Sequence, residues 1–395
     1  MRVIGLSTDI GSGRAVVVEA RRFLACHNAL RGIAALAVFA YHLQLDPNYR
    51  MPLGPFTPLV DRGYLWVDFF FMLSGYVLSL SYFDRLGSGR RSDVIGFLRA
   101  RIARILPMHL AALALLAALV LAFRPTQAML GGARFWSFLD APDFDYLILQ
   151  AALVHIWNTG AALSWNIPSW SISAEMHVYL LVPLIAVALA KWPRRVCLVA
   201  SIAAVLIYGY ILTTRTSLDV LDPLAVLRCL AGFLAGVSIE QARRRHGALS
   251  DLLATTMQAA SLAGMMLALM VFRSDWLAIP FLALLLASTA DDRGVLAAPL
   301  SRSPAQMLGK ISYSLYLLNF PIILLGDLAW RFRPASSVAM QGTWCLGMAL
   351  ALIATAFVTF HVVEAPFRTL LGPKRASRAG SRVSDTSMAV TDPAP

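Results

Sequence analysis

The sequence is short of charge, and of acid above all. Only 14% of its 395 residues are charged, and 22 Asp plus Glu stand against 34 Lys plus Arg. A water-soluble chain carries about 25% charged residues, so two or three soluble domains are excluded as the main architecture. Cysteine is scarce as well. Cys26, Cys197, Cys229 and Cys345 have no metal-ligand spacing and are most simply small apolar fillers, so no metal site is expected. The N-terminus lacks the basic start, apolar core and small-residue cleavage site of a signal peptide, and reads as a retained tail. The net charge of +12 does not point to nucleic acid, because the arginines cluster in short loops between apolar runs, as the positive-inside rule describes.

What is present is apolar: 58% of residues are hydrophobic, in repeated runs of spanning length. The pattern predicts an all-α polytopic membrane bundle of about ten transmembrane helices. They fall near 28–45, 60–82, 105–123, 169–190, 196–213, 221–240, 250–272, 275–290, 305–328 and 339–363. Residues 143–157 are apolar but short. If they crossed, the basic group Lys191, Arg194 and Arg195 would fall outside, so this stretch is read as interfacial or re-entrant. The division is then a cytoplasmic tail (1–27), a membrane domain (28–372) and a disordered basic cytoplasmic tail (373–395), in the inner (plasma) membrane of a cell.

Several polar groups interrupt the apolar runs. Arg31 and His42 lie eleven residues apart in the first span. Eleven steps of about 100° return to within roughly 20° of the start and separate the two by roughly 16 Å. They share a face, one shallow and one deep, and an ionisable group within a span points to a site or a polar cavity. Arg101 and Arg104, three apart at the start of the third span, can grip a polyanion, although the pair alone favours an anchor against anionic lipid. Asp68 sits among aromatics in the second span, with His42 and Arg31 as candidate partners: a histidine oriented for base catalysis, or a structural bond between helices. Ser74-Gly75 follows as a packing or backbone-approach site. Ser171, Glu175 and Tyr179 repeat every four residues and form a polar stripe at roughly the depth of His42, while His177 points elsewhere. Ser312, Tyr313 and Tyr316 mark the inner half of a later span. Glu364, at the end of the last helix, calls for a cation from the first or third helix.

Taken in order, these segments resemble the acyltransferase 3 family of multi-pass membrane O-acyltransferases over about residues 28–370. The resemblance rests on Arg31 with ten residues before His42, D-x-x-F at Asp68–Phe71 with Ser74-Gly75, R-x-x-R at Arg101–Arg104, and W-S-I-S-A-E at Trp170–Glu175. SYSLYLLNFP and Glu364-x-Pro366 agree as well. Three positions depart from the family pattern: Ala100, Met176, and Asn319 where histidine is frequent. No hydrolase-like extracytoplasmic domain is appended, so the likeness is to the stand-alone form. The resemblance implies transfer of an acyl group, commonly acetyl, from cytoplasmic acyl-CoA to a hydroxyl of a surface carbohydrate or related acceptor. Arg31, Arg101 and Arg104 would hold the donor, and His42 would act as base with Asp68 or Glu175 orienting it; an acyl-histidine relay is the competing mechanism. Succinyl or longer acyl transfer is the enzymatic alternative, and a transporter or flippase for a lipid-linked sugar the non-enzymatic one.

Overall fold

The computed structural model describes residues 24–130, 143–162, 164–332 and 337–372. Residues 1–23 of the expected tail at 1–27, and the expected tail at 373–395, lie outside them, and the first helix begins at Ala25, slightly ahead of the expected boundary. α1 (Ala25–Leu45) leads through α2 (Thr57–Asp61) into α3 (Trp66–Leu86), and α4 (Arg91–Leu130) follows. The next segment holds two short helices, α5 (Phe144–Ala151) and α6 (Thr159–Ala162). Then come α7 (Trp170–Lys191), α8 (Pro193–Thr214), α9 (Leu224–His246), α10 (Asp251–Met266) and α11 (Asp275–Ser288). After α12 (Ala297–Leu300) the chain closes with α13 (Ser303–Phe332), α14 (Val338–Thr359) and α15 (Ala365–Leu371). Among the described residues all regular structure is helical, and eight helices are long and apolar enough to cross a membrane. α1 and α11, which complete the ten expected spans, are more polar or shorter.

The helix starts are written locally. The Ser250, Ser274 and Ser337 side chains accept from the backbone N–H three residues on, capping α10, α11 and α14. Pro183, Pro280 and Pro321 lie inside helices, where neighbouring helices can compensate for the lost hydrogen bond. Close packing comes from small residues. A side chain on Gly75 would overlap the Phe233 carbonyl and one on Gly236 the Met72 carbonyl, so α3 and α9 meet backbone to backbone. Gly309 meets the Asn28 carbonyl in the same way, joining α13 to α1. α1 and α13 run parallel: Asn28 bonds Gln306, Arg31 bonds Ser312, and Tyr49 packs on Trp330.

Polar bonds tie the loops together at each end of the bundle. At the arginine-rich end Arg244 pairs with Asp84, Arg243 with Asp291, and Asp292 accepts from the Ala25 and Cys26 backbone N–H groups. At the opposite end Arg62 and Tyr64 hold Asp275, which also accepts from Leu218 N, and Tyr41 donates to Asp219. Residues 143–169 fold near that second end without a spanning helix, since the eight residues of α5 extend about 12 Å. Gln150 organises this segment. Its amide donates to the Ala161 and Ser164 carbonyls and its oxygen accepts from Asn166 N.

Candidate active site

α1, α3, α4, α7 and α13 enclose a cavity of about 180 Å³. Its lining brings together six candidates that lie far apart in sequence: Arg31, Ser74, Arg101, Arg104, Glu175 and Tyr313. Ser171, Tyr179, Ser312 and Tyr316 join them, and the remaining wall is apolar, with Val67, Phe70, Phe71 and Ile172.

The arginine-rich end of the cavity carries three guanidiniums, each held differently. Arg31 donates from Nε and Nη2 to Ser312 Oγ (3.2 and 3.0 Å) and from Nη2 to the Gly309 carbonyl (3.0 Å). Arg101 lies against Tyr82, Phe97 and Tyr179, with its Cζ 5.1, 5.9 and 5.9 Å from the ring centres, and donates to Tyr82 Oη at 3.0 Å. Among the described residues neither has a carboxylate partner. Arg104 does. It pairs with Glu364, which also accepts from Ser314 Oγ at 2.8 Å, and its Cζ sits 5.2 Å from the Tyr313 ring centre. The cation for Glu364 thus comes from α4, the third of the expected spans, and not from α1. A π turn over Phe360–Glu364 adds a residue to the last spanning helix, and Glu364 is the residue of that turn that is buried. Arg368, one turn further and without any marking motif, stands within electrostatic reach of Arg104 and Arg101.

Deeper in, the stripe on α7 faces the cavity as its spacing predicts. Tyr179 Oη lies 3.2 Å from Ser74 Oγ, and Glu175 is the neighbouring partly exposed carboxylate. Ser171 Oγ and Tyr316 Oη are 2.7 Å apart, and each lies within hydrogen-bond reach of the Pro168 carbonyl, at 3.1 and 3.0 Å. His177 leaves the site: its Nδ1 is 2.7 Å from the Ser173 carbonyl, and its Nε2 accepts from Trp157 Nε1.

Asp68 has a different partner from the one expected. Its fully buried carboxylate takes two bonds from Arg228 Nε and Nη2 (3.0 and 2.6 Å) and one from Tyr208 Oη (3.0 Å), so it is bonded neither to His42 nor to Arg31. A guanidinium in the same layer offers paired, charge-assisted donors, stronger than anything a neutral imidazole can give. Arg228 Nη2 also donates to the Tyr64 carbonyl, and its Cζ lies 5.4 Å from the Trp170 ring centre. Arg228 was a second ionisable residue in a span, and complementarity to Asp68 was the signal that could have matched them.

His42 is buried, 8% exposed, and lies outside the lining of the cavity. Its Nδ1 has no hydrogen-bond partner among the described residues, and neither Asp68 nor Glu175 bonds to it. Along α3 the lining runs from Leu78 to Val67, roughly 16 Å. Tyr41, next to His42, packs on Tyr64 at 5.4 Å between ring centres, about one turn beyond Val67. The imidazole therefore stands just past the inner end of the cavity, within the bundle.

A cationic rim, an apolar wall and hydroxyl and carboxylate groups at depth can hold an elongated anionic molecule with its uncharged end inside. The family model described as an acyltransferase domain, acyltransferase 3, matches residues 25–362. The chain is 28% identical over 377 residues to the acyltransferase MdmB of Streptomyces mycarofaciens, covering 88% of this chain and 92% of that one. It is 25% identical to the putative peptidoglycan O-acetyltransferase YrhL of Bacillus subtilis (88% of this chain, 55% of that protein). To the O-acetyltransferase OatA of Staphylococcus aureus it is 22% identical (77% and 51%), so it spans about half the length of these two relatives. No solved structure matches. With its polytopic helical fold and a match over most of its length, the chain belongs to the acyltransferase 3 family and is a membrane acyltransferase.

Proposed function

We propose that this protein is an O-acyltransferase that moves an acyl group, acetyl by first choice, from acyl-CoA to a hydroxyl of a surface carbohydrate or related acceptor. The observation that carries the reading is the cavity, with guanidiniums at its arginine-rich end and an apolar wall leading inward from them. The donor enters at the arginine-rich end, which is cytoplasmic. Arg31 and Arg101, free of carboxylate partners among the described residues, take its phosphates. Arg104, paired with Glu364, shapes the rim. The pantetheine arm follows the apolar wall, and the roughly 16 Å of lining along α3 suits its extended length. His42 takes the acceptor's proton as oxygen attacks the thioester carbonyl. Glu175 lies on the donor's path, while Asp68 acts at a distance by fixing Arg228. Acetyl as the group moved and a cell-wall carbohydrate as acceptor are supported by the O-acetyltransferases among the relatives.

The experiment is transfer from labelled acetyl-CoA by the full chain in nanodiscs, with membranes carrying the candidate glycan. His42→Ala should abolish transfer while CoA binding stays measurable. Full turnover by that variant would remove the proposed base, and turnover of succinyl-CoA in preference to acetyl-CoA would replace the donor.

A further inference from the structure

Asn319 in α13 is fully buried, and neither its Nδ2 nor its Oδ1 has a hydrogen-bond partner among the described residues. Two glutamines buried as fully in the bundle are saturated, and Asn166 is bonded through its Nδ2. Gln150 bonds through both side-chain atoms, and Gln258 donates to the Ser288 and Arg293 carbonyls while accepting from Leu296 N. An amide that packs a helix without being bonded works against the fold, and such a group calls for a partner that arrives from outside.

Its place says which partner. Asn319 follows Ser312 by seven residues, two turns to within about 20°, so it shares the face of α13 on which Ser312 receives Arg31. Because α1 and α13 run parallel, their residues can be ranked by height. Asn319 stands about 10 Å above Ser312, and His42 about 16 Å above Arg31. Asn319 is therefore about one turn beyond Tyr316, which lines the cavity, and about one turn short of His42. The same layer holds two more unbonded groups: His42 Nδ1, and Oδ1 of Asn166, whose Nδ2 donates to the Leu317 carbonyl at 3.1 Å. The two protons of the Tyr316 and Ser171 hydroxyls at the cavity's inner end are taken up within the group they form with the Pro168 carbonyl.

We propose that Asn319 is a catalytic residue, its amide N–H donating to the thioester carbonyl oxygen. This rests on the donor and the base assigned above. As the acceptor's oxygen bonds to the carbonyl carbon, its proton passes to His42, and the oxygen that gains charge takes the hydrogen bond from Asn319. When the C–S bond breaks the carbonyl re-forms, and the leaving thiolate takes the proton back from His42, giving the ester and CoA thiol. Donors set for the charge that develops in the transition state raise turnover more than they tighten substrate binding.

The test uses the full chain in nanodiscs with labelled acetyl-CoA, comparing wild type with Asn319→Leu and Asn319→Ala. Expected is a fall in kcat of about 100-fold or more for both variants, with KM for acetyl-CoA and CoA binding within about twofold of wild type. Asn319→Leu, which replaces an unbonded amide by an apolar group of similar size, should melt no lower than wild type. Wild-type kcat in either variant overturns the proposal. So does an activity loss accompanied by a lower melting temperature and weaker CoA binding, which marks a structural amide. If wild type cannot use acetyl-CoA, or His42→Ala keeps full turnover, the underlying reading fails instead; an active wild type, inactive His42→Ala and unaffected Asn319 variants remove Asn319 alone.

Discussion

Asp68 and Arg228 meet 160 positions apart in the chain, both wholly out of contact with solvent. Removing one partner leaves the other charge buried and alone, at a cost of about 3–5 kcal/mol, whereas replacing both by apolar residues of similar volume is often neutral. Asp68→Leu and Arg228→Met should each lower the melting temperature of the purified protein sharply, and the double variant should recover most of the loss. A double variant as unstable as the sum of the singles would show that the pair does more than neutralise itself. The sequence marked Asp68 as a charge within a span, but partner choice depends on which helices touch. α3 is packed on α9 through Gly75 and Gly236, and that contact brings Arg228 to Asp68 before any residue of α1.

At the scale of the element, residues 143–169 are instructive. For residues 143–157 the length and the charge asymmetry argue against a crossing, and the helix there, α5, is eight residues long. What holds the segment was not legible, because Gln150 gathers bonds from three turns of chain that no periodicity links. His155 lies in the same fold, with Nε2 3.2 Å from Ser169 Oγ. Burial, reinforced by nearby His109, pushes its imidazole down to about 3. The sign follows. Below an unfolded value of about 6.5, the opened segment binds a proton that the closed one refuses, so closure loses stability as pH falls from there toward 3. Amide exchange across 143–169, corrected for intrinsic rates, should be faster at pH 5 than at pH 7.5, and His155→Gln should shrink the difference. Equal protection at both values would show that this histidine does not govern opening.

Across the whole molecule, the loops tied together by ion pairs fall into two sets, and the assignment of sides turns on them. Arg90, Arg194 and Arg243–Arg245 lie at the same end as Ser88, while Thr213 and Arg215 lie at the other. In a background without native cysteines, Ser88→Cys should react with an impermeant thiol reagent only after the cells are permeabilised, and Thr213→Cys in intact cells. The reverse pattern would invert the proposed orientation and put the cavity mouth on the wrong side for CoA.

Composition and hydropathy alone determined that this chain is a helical membrane bundle and where its spans lie, because an apolar run in lipid has one way to satisfy its backbone. Local spacing put Arg101 with Arg104 on one face and Ser171, Glu175 and Tyr179 on another, but that these two faces, Arg31 and Tyr313 line one cavity, and that His42 lies outside its lining, is decided by how the helices pack. Only the tertiary structure decided the pairings: Asp68 with Arg228, Glu364 with Arg104, and Asn319 with nothing among the described residues. Those choices are made between helices remote in sequence, where a donor and an acceptor of matching depth and facing exclude every other pair.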